Sequence, residues 1–242
     1  MPLHDGHAAA CLFHQYENKN PMSKNIKING AVTRVMVYGF AVAALMGCAL
    51  GRDVVAVKAP SADNPATGKA VRIEAVLDNR KFEAAPSSPD IPSLDDAEDN
   101  GQDSKARAIG RKRNGYGKAL GDVVLPEGQT VSGLTEAALA TAFKESGYIV
   151  ASKGDANYDA AAPVSARINE FWAWFKPGFW SVTTSQKSEV ELEGNVGPLA
   201  GKQVIKATVS ESRQVVTVDD WRDIVEKGLR AITDQTKQLL AR

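Results

Sequence analysis

Histidine is nearly missing from this sequence. Its three occurrences, His4, His7 and His14, all fall in the first fourteen of 242 residues. Cysteine is scarcer still, with only Cys11 and Cys48, and all four methionines (Met1, Met22, Met36, Met46) precede Cys48. From Cys48 onward the chain therefore offers one thiol and no imidazole. Ser-His-Asp and Cys-His nucleophilic sites need an imidazole base, and zinc sites draw mainly on His and Cys, so these chemistries are excluded from that stretch. A single Cys also excludes an internal disulfide there. Acid–base work by Asp, Glu or Lys, or an all-oxygen Ca²⁺ or Mg²⁺ site, survives this filter, but no motif supports it. P-loop, GxGxxG and EF-hand patterns are all lacking. Charge of one sign is lacking too: the formal net charge is zero, so no overall basic field points to nucleic acid. The chain reads as a non-enzyme with no catalytic residue, no metal and no cofactor.

Long hydrophobic runs are also few. The longest near the start, "VMVYGFAVAALMG" at 35–47, is an uncharged run of thirteen residues. A bilayer-spanning helix needs ~20 residues, so this run is too short to cross and has the length of a secretory h-region. Lys24, Lys27 and Arg34 form the basic segment before it. It ends in Leu45-Met46-Gly47-Cys48, which resembles the lipobox of bacterial lipoproteins. That resemblance implies a diacylglyceryl thioether on Cys48, cleavage before it and acylation of the new amino group. One acyl chain holds weakly, whereas several anchor stably. Ala49, rather than Asp, follows the Cys, which by analogy with enteric sorting directs the protein to the outer membrane, facing the periplasm. "MSKNIKING" from Met22 is the more natural start of such a signal. Residues 1–21 then read as a mis-assigned start, and His4, His7, Cys11 and His14 as part of a discarded segment rather than a metal cluster.

The expected organisation is a signal peptide over 1–47, a lipidated Cys with a flexible tether over 48–69, and one domain over 70–242. Within the domain, Val71, Ile73, Ala75 and Leu77 alternate as a half-buried strand does. Residues 84–108 carry three Pro and an acidic cluster and read as a mobile loop. Ala119 to Leu125 reads as a short strand, 131–146 as a helix stopped by Gly147, and 148–152 as the strand after it. Residues 162–175 and 178–194 alternate on either side of Lys176-Pro177-Gly178 and read as one long hairpin. Ile205, Ala207 and Val209 mark a further strand. Trp221, Ile224, Val225, Gly228, Ile232, Gln235 and Leu239 make an apolar stripe over a final long helix. The order β-β-α-β-β-β-β-α predicts an α+β fold: an antiparallel-rich sheet with two helices packed on one face.

Residues 109–150, "IGRKRNGYGKALGDVVLPEGQTVSGLTEAALATAFKESGYIV", are similar to the YajG-like group of small bacterial envelope lipoproteins. The matching positions are Ile109-Gly110, Arg113-Asn114-Gly115-Tyr116-Gly117 and Leu134 to Tyr148. The acidic segment 84–108 and the aromatic hairpin depart from that pattern. The resemblance implies an α+β domain related to accessory lipoproteins of envelope transport systems, and it brings no reaction and no catalytic residues.

The most distinctive stretch is "FWAWFKPGFW", 171–180, which concentrates six aromatics in a chain that is 7 % aromatic. Strict alternation places Trp172, Trp174 and Trp180 with Ile168 and Val182 in the core beneath the helices. Phe171, Phe175 and Phe179 then fall on the other face or at the tip, where exposed rings with Lys176 would contact a partner protein or the bilayer. A basic run (Lys105, Arg107, Arg111, Lys112, Arg113, Lys118) offers contacts to anionic lipid or an acidic partner, or simply offsets the acidic cluster. Asn114 to Gly117, with Tyr116, forms either a backbone anion nest or a plain turn. The close carboxylates of "DDWRD", 219–223, read as helix capping rather than as a cation site. The functional expectation is a non-catalytic, lipid-anchored envelope lipoprotein that binds a partner protein or envelope component, with no nucleic acid partner. The alternatives are a lipid- or glycan-binding accessory subunit of an envelope transport system, and a carboxylate-dependent hydrolase of cell wall or polysaccharide.

Overall fold

The computed structural model describes residues 51–95 and 101–242. The signal-like segment, Cys48 and the acids Asp96, Glu98 and Asp99 lie outside the described residues. The fold is α+β, built on one mixed sheet. Its strands are β1 (Asp53–Val54), β2 (Ala70–Asp78), β3 (Ala108–Arg113), β4 (Ala119–Val124), β5 (Ile149–Val150), β6 (Ala162–Pro177), β7 (Val182–Val196) and β8 (Leu199–Arg213). The helices are α1 (Gln102–Arg107), α2 (Val131–Glu145) and α3 (Val218–Leu240).

The long antiparallel meander β6–β7–β8 is the frame, with ladders running from Val164↔Gly194 to Pro177↔Val182 and from Val182↔Arg213 to Val196↔Leu199. The other edge of β6 is shared. Parallel β2 pairs with its first half, from Val71↔Ala162 to Asp78↔Ile168, and parallel β3 joins its second half at Gly110↔Ala173. β5 extends the sheet beside β2, while β4 and β1 extend it beside β3.

Helices α2 and α3 cover one face, as the apolar periodicity predicts. Leu134, Ala138, Leu139 and Phe143 of α2 and Trp221, Ile224, Leu229 and Ile232 of α3 join one core with Val164, Ile168, Phe171 and Val190 of the sheet. Gly110 is part of that packing. A Cβ there would lie 2.5 Å from the Trp221 ring and 2.8 Å from the Ala173 carbonyl, so only glycine lets the indole close over β3.

The parity expected for the aromatic hairpin is inverted. Ile168 pairs with Val190, but Glu170 pairs with Glu189, so Asn169 is an extra residue at a β-bulge. One inserted residue exchanges the two faces for everything downstream. Phe171 and Ala173 therefore continue the helix-side core, and Phe175 stacks on Trp221 with centroids 3.9 Å apart. Trp172 and Trp174 turn to the opposite face.

That opposite face has a core of its own, contrary to expectation. Leu94, Ala108, Val124 and Trp172 are buried together, with Phe82 and Trp174 packed on them. The cover is residues 79–95, most of them in the stretch expected to be mobile. Phe82 meets Trp172 edge-on at 6.0 Å, and the Trp172 indole N–H donates to the Pro89 carbonyl at 3.2 Å. Arg80 closes the gap where β6 changes partner from β2 to β3. Its guanidinium donates to the carbonyls of Ala108 (2.6 Å), Phe171 (3.1 Å) and Lys105 (2.6 Å), and Asp78 neutralises it at 2.7 Å. One buried cation thus satisfies backbone acceptors that no strand reaches.

Residues 51–69, expected to be a flexible tether, are also laid onto the domain. β1 pairs with β4, Val55 and Val57 are buried, and the Gln129 side chain bonds both the N–H and the C=O of Val57. The alternating valines of "DVVAVKA" supply the apolar contacts that a solvated linker lacks.

Candidate functional site

A cleft of about 620 Å³ opens on the strap-covered face at one end of the sheet. Its floor is the β6–β7 hairpin, through Trp174 to Pro177, Thr183 and Ser185. One wall is Pro86 to Asp90 of the strap, and the other is the β3–β4 turn, Arg113 to Gly117. The geometry follows from register. β3 runs parallel to β6, so the turn after β3 and the tip after β6 project from the same end of the sheet.

Three sequence-expected features meet here. Arg113, the Asn114–Gly117 turn and Lys176 all border the cleft. Tyr116 (97 % exposed), Phe179 (88 %) and Trp180 (85 %) stand clear of the surface on the same turn and tip. Phe179 and Trp180 pack edge to face at 4.7 Å. Two of the three expected phenyl contacts are not met. Phe171 is fully buried and Phe175 is half-buried against Trp221, so no contiguous phenyl face exists.

Arg111 and Lys112 form no open basic surface. Arg111 is buried between Asp95 (3.2 Å) and the fully buried Asp122 (3.4 Å), while Lys112 meets Asp53 at 3.1 Å. A buried carboxylate such as Asp122 needs this pairing, since an isolated charge away from water is costly. Arg107 likewise pairs with Asp103 at 2.8 Å. Two acids of the stretch expected to be a loose loop, Asp95 and Asp103, thus tie down two cations of the basic run, Arg111 and Arg107.

The turn is a plain one. Asn114 Oδ1 accepts the N–H groups of Tyr116 and Lys118, both at 3.0 Å, and its carbonyl accepts that of Gly117 at 2.9 Å. Those donors are spent and cannot cradle an anion. Arg113 donates to the Gly117 carbonyl and to Ser93, each at 2.9 Å, which fixes the wall. Burial, then repulsion from Arg111, lowers the Arg113 pKa, and Asp122 offsets part of that. The "DDWRD" stretch does cap α3: the Asp220 carboxylate accepts the Thr217 N–H at 2.7 Å and its hydroxyl at 2.9 Å.

The strap wall is held electrostatically. Lys187 bridges Asp90 and Glu170, each at 3.1 Å. The Ser88 hydroxyl lowers the Asp90 pKa most; burial opposes this, and Lys187 reinforces the lowering. Burial would depress the Lys187 ammonium, but bonds to Glu170 and Asp90 overcome it and raise its pKa. Asp90 is the only carboxylate among the described residues lining the cleft.

Sequence reasoning missed Trp174 as the floor, the Pro86–Asp90 wall and the Arg80 plug. Glu170 carried a usable signal. Strict alternation after Ile168 puts this charged residue into the core, a conflict that a bulge resolves. Cys48 lies outside the described residues, and among those described no helix is long and apolar enough to cross a membrane.

No protein-family model matches the chain, and no curated protein matches it. Among solved structures, an uncharacterised protein is similar at a TM-score of 0.40 with 7 % identity, over 78 % of this chain and 97 % of that one. XCC0632 from Xanthomonas campestris, of the DUF330 family, is similar at a TM-score of 0.41 with 13 % identity, over 77 % and 92 %. A Helicobacter pylori homolog of a neuraminyllactose-binding hemagglutinin gives a TM-score of 0.26 with 11 % identity, over 73 % and 91 %. Likeness at these scores carries no assignment of activity.

Proposed function

We propose that the chain is a YajG-like, non-catalytic envelope lipoprotein. Cys48, acylated after export, anchors it in the outer membrane, and the folded module faces the periplasm and binds a partner protein or envelope component in the hairpin cleft. The observation that carries this reading is the meeting of an apolar floor (Trp174, Pro177), a cation with no ion pair among the described residues (Lys176) and protruding rings (Tyr116, Phe179, Trp180) around one open cleft. Exposed apolar side chains gathered this way mark interaction sites. A tethered module also works at high local concentration, so modest contacts suffice.

A second reading, a lipid- or glycan-binding accessory subunit of an envelope transport system, is favoured by cleft size, since small-molecule sites commonly enclose ~300–1,000 Å³. A glycosidase-type hydrolase needs two facing carboxylates, and among the described residues the cleft has Asp90 alone, already paired with Lys187. The test is photo-crosslinking in cells from position 183 on the cleft floor, with position 204 on β8 as the control. The proposal expects a discrete adduct of one mass from 183 that is missing from 204. Identical adducts from both positions, or none from 183, would overturn it.

A further inference from the structure

Register places one row of residues straight across the sheet. Arg113 pairs with Ala119, Lys176 with Thr183, and Thr183 with Ser212. Arg113 and Lys176 are level because each lies three residues beyond the Gly110↔Ala173 pair of parallel strands. Past this row lie the β3–β4 turn, the β6–β7 tip and the link from β8 to α3. These three connections carry the four most exposed large hydrophobic residues among those described: Tyr116 (97 %), Phe179 (88 %), Trp180 (85 %) and Val215 (74 %).

The free charge at this end is positive. Lys118 and Lys176 are exposed, and their ammonium groups make no ion pair among the described residues. The nearby acids are paired: Asp219 and Asp223 with Arg222 at 2.9 and 3.8 Å, Asp220 with Arg213 at 2.9 Å, and Glu211 with Arg213 and Lys227.

The chain also enters at this end. The Gly51 N–H donates to the Leu120 carbonyl at 2.9 Å, one residue behind the row. Gly121 makes room for it: φ there is +148°, and a Cβ would lie 1.8 Å from the Gly51 oxygen. β1 is parallel to β4, so tracing back from Asp53 leads toward the turn and not away from it. Cys48 is three residues before Gly51, which limits their separation to about 11 Å at ~3.6 Å per residue. The far end of the sheet is out of reach, because the sixteen residues of β6 span roughly 50 Å at ~3.3 Å each.

We infer that this end of the sheet, with Tyr116, Phe179, Trp180 and Val215 at the interface and Lys118 and Lys176 against anionic head groups, rests on the lipid surface in which Cys48 is anchored. The inference builds on the proposed acylation of Cys48 and adds the orientation of the module. The module stands end-on, and the hairpin cleft opens beside the head groups. Trp at a membrane–water interface and Lys facing anionic lipid are the expected chemistry of such a contact.

The test uses the protein as purified from membranes with its native modification, reconstituted into phosphatidylethanolamine–phosphatidylglycerol vesicles. One set has brominated acyl chains and one has plain chains. Trp172 and Trp221 are buried and Trp174 is half-buried, so Trp180 is the tryptophan available for quenching. Brominated vesicles should quench emission, and Trp180→Phe, which alters only an exposed ring, should abolish that quenching. Lys118→Glu with Lys176→Glu should weaken it. Equal emission in both vesicle sets from protein whose Cys48 carries lipid by mass would overturn the orientation and leave the anchor intact. Quenching unchanged in Trp180→Phe would overturn it as well. An unmodified Cys48 on protein that does not float with vesicles would overturn the anchor and this inference together.

Discussion

The two faces of the sheet are covered by different means. One carries α2 and α3 over a broad aliphatic core. The other carries an irregular strap, residues 79–95, over a small cluster centred on Trp172. The helix face is stabilised mainly by buried area, which needs no exact geometry. The strap face depends on a few directed contacts: Arg80 to three carbonyls, Trp172 to Pro89 and Lys187 to Asp90. The second arrangement supplies the cleft, because a strap leaves gaps that packed helices fill. The bulge at Asn169 allots aromatic rings to both faces from one strand.

The comparison is sharpened most by truncating the two neighbouring aromatics. Phe171→Ala and Trp172→Ala each remove a fully buried ring, with an expected cost of about 3–5 kcal/mol. The faces should nevertheless respond differently. Phe171→Ala should lower the midpoint of global unfolding. Trp172→Ala should also release the strap, which limited proteolysis within 84–95 would reveal. Equal protease resistance of the strap in both variants would break the distinction.

Arg80→Met comes next. It keeps most of the apolar stem and leaves the carbonyls of Ala108, Phe171 and Lys105 without their donor. Each unsatisfied buried acceptor costs ~1–3 kcal/mol, less where water enters. The expected loss is about 3 kcal/mol, together with faster amide exchange at the β2–β3 junction, and chemical denaturation measures it.

Acid should act in the same direction with smaller effect. The Asp90 pKa is held below its ordinary 3.8. A lowered carboxylate contributes stability that is fully present above its unfolded pKa and is lost as pH falls through the folded value. Strap protection should therefore be constant from neutral pH down to about 4 and fall below it. Lys187, whose pKa is raised, keeps its contribution until the pH exceeds its ordinary 10.5. Asp220, at the start of α3, is also held low: burial works to raise it, and bonds from Thr217 and Arg213 outweigh that. The helix face should still outlast the strap, because its core is uncharged.

Smallest of all, Phe179→Ser and Trp180→Ser should leave stability within ~0.5 kcal/mol, since both rings are exposed. A larger loss would mean that the tip supports the fold.

The same contrast explains what the sequence made legible. The helix face was readable from periodicity: the stripe of α3, the α2 pattern and the hairpin strands all follow from 3.6- and 2-residue repeats. The strap was not, because its contacts have no repeat. Phe82, Pro89 and Leu94 are irregularly spaced and surrounded by Ser, Pro and Asp. Parity past Ile168 failed because no Gly or Pro marks the bulge; only Glu170, out of place in a core parity, betrays it. Of the candidate site, Arg113, Tyr116, Lys176 and Phe179 were found through composition and turn chemistry. Phe171 was misplaced by that unmarked bulge, and Arg111 and Lys112 because their partners Asp95, Asp122 and Asp53 lie in other elements. Three-dimensional pairing of this kind leaves no local trace.

The claim on which function most depends is the lipid on Cys48, and a tryptic digest of native protein tests it directly. Cleavage after Gly47 with acylation predicts an N-terminal peptide Cys48–Arg52 that carries the added mass of diacylglycerol and an amide-linked fatty acid. Recovery of Val35–Arg52 intact, with a free thiol at Cys48, would contradict the account.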